Sequence, residues 1–335
     1  MRIKGLLMIA LLAIVGVFLV FTTPVLAKDK VITWKMAGVW GPGDGAYPPE
    51  TCAKEITENS GGKLKVNVYP GGQLYGSQEI FGALQKGLIQ MCEIPLGYWG
   101  GAVPVYKVGE IPFLIRDNKD FKAYLDAGLY NLWEKAGEKV GLKLLGVTGW
   151  NDLQCYSRFP IRTLDDVKGR KWRVYTPPMA EAVRALGASP VSMGAPEVYQ
   201  AMQRGVVDAC FGGVTWGYSF KWHEVGPHVV KMDFAMPPTC VFANKKAFDA
   251  LPEDLKKVVI NAGKNYANWD IIEGFTKKKY EQFKEAGSDI YILPEDERNK
   301  LMKKCKPIWD KVAGDIGPEG KEALEIYYKL FPERR

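Results

Sequence analysis

The chain has 335 residues, 47% hydrophobic and 25% charged. That composition excludes a disordered tail, a collagen or a coiled coil, and the length suits about two domains with cores of their own. Lys and Arg number 45 against 38 Asp and Glu, a formal charge of +7, but no run of five or six basic residues occurs, so the charge reads as a mixed solvated surface and not a nucleic-acid face. Only two histidines, His223 and His228, are present, which excludes a histidine-rich metal site.

Arg2 and Lys4 precede an uncharged apolar stretch at 5–21, and Val25-Leu26-Ala27 closes it. This pattern predicts a secretory signal at residues 1–27, cleaved after Ala27; the stretch is short of the ~20 residues that span a bilayer. No cysteine follows the cleavage point, so a lipid anchor is not expected, and no later stretch is apolar enough to span. The mature chain is therefore expected to be exported and soluble in the periplasm. Its cysteines, Cys52, Cys92, Cys155, Cys210, Cys240 and Cys305, show no CxxC spacing. No zinc pattern follows. Disulfides are allowed in an exported protein, but most of these residues read as small buried hydrophobes.

In chain order, residues 31–36 are β-rich, 47–58 form a helix candidate, and 64–69 alternate with period two up to Pro70-Gly71-Gly72. A helix at about 77–86 leads to a strand at 88–92. Residues 118–139 read as helix and 142–147 as strand. This alternation predicts an α/β fold with a largely parallel sheet. Residues 83–91 (Ala-Leu-Gln-Lys-Gly-Leu-Ile-Gln-Met) are echoed at 201–209 (Ala-Met-Gln-Arg-Gly-Val-Val-Asp-Ala). Both copies read as helix, glycine cap and strand, which suggests two lobes of similar construction whose strands point at a common crevice; helix–Gly–strand junctions are also common by chance. Leu255, Val259, Ala262, Tyr266, Trp269, Ile272, Tyr280 and Phe283 repeat at helical spacing between Pro252 and Gly287. A helix over 253–286 would be roughly 50 Å long, more than one lobe can cover, so it either breaks, at Gly263 or Gly274, or braces both lobes. The brace is the favoured reading.

Catalytic signatures are missing: there is no GxSxG, no P-loop and no GxGxxG. His223 and His228 share one apparent loop and read as isolated surface or packed residues. Asp165-Asp166 reads as a helix N-terminus. A binding protein is thus the default for an exported two-lobed chain, with an exported enzyme acting on a small organic acid as the alternative. Arg173 is the strongest single position. In Gly169–Tyr175 it shares one strand face with Tyr175, with Trp172 and Val174 on the other. A buried strand arginine needs an anion, and a guanidinium offers a carboxylate two parallel N–H bonds. From pattern alone, a surface strand arginine in a salt bridge is the favoured reading.

Several segments resemble the periplasmic solute-binding proteins of tripartite ATP-independent periplasmic (TRAP) transporters, the DctP-like group. Tyr69-Pro-Gly-Gly-Gln-Leu-Tyr-Gly resembles that family's YPGGQLG turn, and Gly109-Glu-Ile-Pro-Phe-Leu its lPFLF segment. Thr163–Val174 resembles DLKGLKIRV, Leu186–Val191 LGASPV, and Glu197–Asp208 EVYTALQTGAVDG. Their shared order along nearly the whole mature chain is what makes the resemblance specific.

The resemblance implies a type II-like periplasmic binding fold: two α/β lobes around an interlobe cleft, with a long helix spanning both. Residues 28–150 with about 240–252 would form lobe I, 151–239 with about 288–335 lobe II, and 253–286 the spanning helix. It implies capture of a small organic acid by lobe closure and delivery to the TRAP membrane permease subunits, with no cofactor, metal or nucleic acid, by a monomer. In this scheme Arg173 holds the substrate carboxylate. The second arginine many members carry falls at Leu153 here, and Cys210-Phe211-Gly212-Gly213 replaces the polar residues that often follow the last motif. The cleft should then be aromatic and the ligand a hydrophobic or aromatic monocarboxylate, sandwiched by Trp150 and Phe211. Trp40, Tyr98, Trp99 and Trp216 lie in cleft-lining segments, although about half of these aromatics are expected in the core. Asn151 and Gln154 would add polar contacts, and Glu93 would meet a ligand ammonium or a structural partner.

Overall fold

A computed structural model describes residues 31–39, 49–149, 153–266 and 268–335. The leader at 1–27 and the candidates Trp40, Trp150 and Asn151 lie outside these residues. No described helix is long and apolar enough to cross a membrane.

Two sheets organise the fold. Strands β1 (Ile32–Gly38), β2 (Leu64–Tyr69), β3 (Met91–Pro95), β4 (Leu142–Gly149) and, late in the chain, β10 (Pro238–Asn244) form the first, in the order β2-β1-β3-β10-β4. Strands β5 (Leu153–Ser157), β6 (Lys171–Val174), β7 (Ser189–Ser192), β8 (Ala209–Gly213), β9 (His228–Lys231) and β11 (Asp289–Ile292) form the second, in the order β11-β9-β5-β8-β6-β7. The expected largely parallel sheet is corrected to two mixed ones. β10 runs antiparallel to β3 and β4, and β5 antiparallel to β8 and β9. For β10 the reason lies in the connection: the chain enters it from the segment after β9, which crosses between the sheets without the helix that returns a chain to parallel register.

The two sheets repeat one plan. In each, a βαβ pair (β1/β2, β6/β7) pairs in parallel with the strand that follows a short helix (β3, β8), and a crossing strand lies antiparallel beside that. The sequence echo marks the same corner of both. Helices Ile80–Gln85 and Val198–Gln203 each end at a glycine with φ +74°, Gly87 and Gly205. Leu88 N–H donates to Ala83 O at 2.9 Å and Val206 N–H to Ala201 O at 2.8 Å, so both ends close in the same left-handed cap. β3 begins at Met91, later than the expected 88–92 strand, because this cap occupies residues 87 and 88.

The helical run at 253–286 is two helices, Glu253–Tyr266 and Trp269–Glu285. The break is at neither glycine. Gly263 stays helical where the helix backbone presses on β4: a Cβ there would strike Leu145 O and C. The new helix starts where the Asn268 side chain accepts from Ile271 N–H at 3.3 Å. The first helix buries Leu255, Val259, Ala262 and Tyr266 in the core of the first sheet, while Phe283 of the second packs on Tyr156, Tyr218 and His223 of the second sheet's layer. The brace is therefore jointed.

Helix Pro318–Leu330, which the sequence grouped with lobe II, is fastened to the first lobe. Tyr124 Oη donates to Ala323 O at 2.7 Å, and Tyr327 Oη to Leu114 O at 2.5 Å. Helix Glu295–Ile316 reaches both lobes, packing on helix Pro177–Ala185 while Trp309 Nε1 donates to Pro112 O at 2.8 Å. The Ile111–Leu114 motif is thus a structural hub. Phe113, left-handed at φ +60°, donates its N–H to Phe234 O at 2.5 Å in the segment that crosses back from β9 to β10.

Candidate functional site

The carboxyl ends of β3, β6 and β8 face a cavity of about 190 Å³, the position where open α/β sheets hold ligands. Pro95, Gly97 and Tyr98 follow β3; Tyr175, Thr176 and Pro177 follow β6; Gly213 and Trp216 close β8. Gln78, Glu110, Pro237 and Thr239 complete the wall. A wider recess of about 330 Å³ shares Gly97, Glu110, Thr176 and Pro177 with it and extends past Lys107, Glu181 and Asp315. Among the described residues the walls of the smaller cavity are mostly apolar or aromatic and include no lysine or arginine.

Arg173 stands just behind this wall. It occupies the centre of β6, opposite Val191 on β7 and Cys210 on β8, and is 1% exposed. Nε donates to Met193 O and Nη1 to Phe211 O, both at 3.1 Å. Its guanidinium carbon lies 4.8 Å from the centre of the Tyr175 ring, which lines the cavity. Among the described residues no carboxylate forms an ion pair with it, and Nη2 has no hydrogen-bond partner. Burial pulls its pKa down, against opposing effects from Cys210, Tyr175, Tyr98 and Glu197. The neighbouring helix end does not supply a second anion site: Pro177 and Pro178 lack N–H groups, and Met179 N–H is taken by Thr176 Oγ1 at 3.4 Å.

Glu110 is the one buried acid on the wall. It is 6% exposed, makes no hydrogen bond to any described residue, and burial alone raises its pKa to about 7. Its carboxyl lies against the bare Cα of Gly97, where a Cβ would overlap both oxygens. Sequence reasoning passed over it. The signal was an acid inside an otherwise apolar run, Gly109-Glu110-Ile111-Pro112-Phe113-Leu114, where a buried charge needs a reason.

The other candidates scatter. Tyr98 and Trp216 line the cavity. Phe211 is fully buried, its ring stacked 3.8 Å from Phe234 and 4.7 Å from Trp172, and it reaches the site only through its carbonyl on Arg173. Trp99 is core, against Phe242 at 4.9 Å and Phe81 at 5.3 Å. Gln154 uses its amide at the crossing segment: Oε1 accepts from Met232 N–H at 2.9 Å and Nε2 donates to Asp233 Oδ1 at 3.1 Å. Glu93 accepts from Tyr266 Oη at 2.7 Å on the far side of β3, and burial lifts its pKa to about 8. Leu153, where a second arginine was sought, is buried beside the crossing, its N–H donating to Ala235 O at 2.8 Å.

The remaining chemistry is structural. His228 Nδ1 meets Asp289 at 2.8 Å, where Arg162 also binds, and His223 stacks on Tyr218. Asp166 completes a capping box with Thr163 at the start of a short 3₁₀ turn. All six cysteines are buried and unpaired. Among the described residues no cluster of His, Cys, Asp or Glu has the geometry of a metal site.

Comparison with known proteins agrees with this architecture. The C4-dicarboxylate-binding periplasmic protein DctP of Rhodobacter capsulatus is 31% identical over 334 residues, covering 94% of this chain and 96% of that protein. The crystal structure of DctP6, a Bordetella pertussis extracytoplasmic solute receptor binding pyroglutamic acid, superposes with a TM-score of 0.81 at 26% identity, covering 89% of this chain and 99% of that one. A TRAP periplasmic solute-binding protein from Ochrobactrum anthropi, with its C-terminus bound in the ligand pocket, gives a TM-score of 0.84 at 24% identity over 91% and 98% of the two chains. These are binding proteins, not enzymes. Residues 48–315 match the model of bacterial extracellular solute-binding protein, family 7, so this two-lobed chain belongs to the DctP family of solute receptors.

Proposed function

We propose that this receptor captures a small monocarboxylate in the cavity at the strand ends, with Arg173 as the carboxylate anchor, and delivers it from the periplasm to a TRAP membrane permease. One observation carries the reading. A guanidinium that is 1% exposed, without an ion-pair partner among the described residues, has one nitrogen free beside the cavity's tyrosines. Leaving a charge so placed without an anion is costly; a bound carboxylate removes that cost. Tyr98, Tyr175 and Trp216 offer an apolar body its contact surface. Among the described residues no lysine or arginine lines the cavity to take the far end of a dicarboxylate, which favours a single acidic group even though the Rhodobacter relative is named for C4-dicarboxylates. Contacts to both lobes would favour the closed state, the form a permease would recognise.

The test is calorimetry with a panel of mono- and dicarboxylates, together with mass spectrometry of any compound carried through purification. Monocarboxylates should bind more tightly than dicarboxylates of similar size, and Arg173→Ala should lose them. A tightest ligand without an acidic group, or unchanged binding by Arg173→Ala, would overturn the proposal.

A further inference from the structure

We infer that Glu110 is a second recognition group of this cavity, and that it selects carboxylates carrying an N–H donor, an ammonium or a lactam or amide N–H, at the end remote from the acid. The inference rests on the reading of Arg173 as the carboxylate anchor and deepens it by naming the ligand's other end.

The argument begins with cost. A carboxyl buried to this degree is ordinarily held by donors. Glu93, in the same lobe, is held at one oxygen, with Tyr266 donating to Oε1 at 2.7 Å while the buried Oε2 has no partner among the described residues. Glu110 has no such donor, yet it is not sealed in a core: it lines both the small cavity and the recess that adjoins it. The local backbone makes room for it there, because only a glycine at 97 leaves space for the carboxyl. Gly97 itself lines both spaces.

The position relative to Arg173 gives the selectivity. Tyr98 and Tyr175 each feel both groups, Glu110 raising and Arg173 lowering their pKa values. The guanidinium carbon lies 4.8 Å from the Tyr175 ring and the acid lies against Gly97, next to Tyr98, so opposite charges stand beside these two rings of the cavity wall. A ligand lying along those rings, acid toward Arg173, presents its other end to Glu110. With its pKa raised to about 7 by burial, the empty site holds Glu110 partly protonated near neutrality. An N–H donor at hydrogen-bond distance favours the carboxylate, and hydrogen bonds to a charged acceptor are among the stronger ones. A second carboxylate at that end would meet repulsion instead.

The experiment compares matched probes by calorimetry: succinamate against monomethyl succinate, in which an ester oxygen replaces the N–H, and 5-aminovalerate against valerate. Succinate serves as a carboxylate without nitrogen. Wild type should prefer the N–H member of at least one pair by about tenfold or more. Glu110→Leu should reduce that preference to less than about threefold, and Glu110→Gln, which keeps an acceptor oxygen, should fall between. Gly97→Ala, which displaces the carboxyl without removing it, should act in the same direction and serves if the Glu110 variants do not fold. Equal binding within both pairs by wild type, or a preference that survives Glu110→Leu, overturns the inference. Binding of succinate or valerate alone, abolished by Arg173→Ala, overturns it while leaving the carboxylate anchor standing. Failure of every carboxylate to bind removes the anchor and this inference with it.

Discussion

The two lobes are built on one plan and carry opposite chemistry. Register makes the correspondence explicit: Ala37 of β1 pairs with Cys92 of β3, and Arg173 of β6 pairs with Cys210 of β8. Where lobe II has its buried guanidinium, lobe I has a methyl group. One step along, Glu93 in β3 matches Phe211 in β8; the first is held by Tyr266, the second is core. Lobe I instead brings its acid to the cavity from outside the sheet, on the Pro104–Glu110 turn. A repeated backbone thus fixes where a cleft forms, while substitutions at equivalent positions decide what each wall can hold. Burying a charge in one lobe only gives the cavity a direction, which two identical lobes could not do.

The strongest way to break this asymmetry is Arg173→Ala. Loss of a charge-assisted contact should weaken carboxylate binding by about 2–4 kcal/mol, roughly 30- to 1000-fold, with Arg173→Lys retaining part of the affinity. Titration calorimetry beside a melting curve separates lost binding from lost folding. A variant that binds like wild type would leave the two lobes chemically equivalent in function.

Lobe I can be probed through pH. Glu110 and Glu93 have folded pKa values of about 7 and about 8 against an ordinary value of 4.5. The folded protein therefore binds these protons more tightly than the unfolded chain. Their favourable contribution is complete below about pH 4.5 and is lost as pH rises through 7 and 8. Denaturation should show stability falling between pH 5 and 9, by about 3 kcal/mol from Glu110 alone, and the double variant Glu110→Gln/Glu93→Gln should flatten that slope. A wild-type stability that rises over this range would contradict the burial of both acids.

Tyr266→Phe sharpens the contrast between the two acids of lobe I. It strips Glu93 of its donor and should cost about 1–3 kcal/mol in chemical denaturation, while leaving ligand affinity unchanged because Glu93 faces away from the cavity. Any large loss of affinity would place Glu93 in the ligand site after all. The smallest effect is expected from Trp216→Ala, about 1 kcal/mol in binding of an aromatic carboxylate and less for a small aliphatic one, read from the ratio of the two dissociation constants.

Much of the architecture was legible because it is written in local chemistry. A left-handed cap favours a glycine after the helix end, so residues 83–91 and 201–209 suggested equivalent corners, although such junctions also recur by chance. Period-two and helical spacing located the strands and helices between residues 31 and 147 for the same reason. The break before Asn268 was not legible, since a helix tolerates Gly263 where the neighbouring strand demands a bare Cα, and an asparagine cap resembles any other polar residue. The aromatic candidates show the same limit: Tyr98 and Trp99 are adjacent and chemically alike, yet one lines the cavity and the other packs on Phe242.

By itself the sequence determined the family, the repeated lobe plan and the strand that carries Arg173, because propensity, capping and alternation act over a few residues. Only the tertiary structure decided which side chains face the cavity, that Glu93 has a donor in Tyr266 while Glu110 has none among the described residues, and that the last helix packs on the first lobe. Those outcomes depend on desolvation and on partners supplied from distant parts of the chain: Tyr266 for Glu93, Gly97 for Glu110, Ala323 for Tyr124. Burial is a property of the assembled fold, and no single segment encodes it.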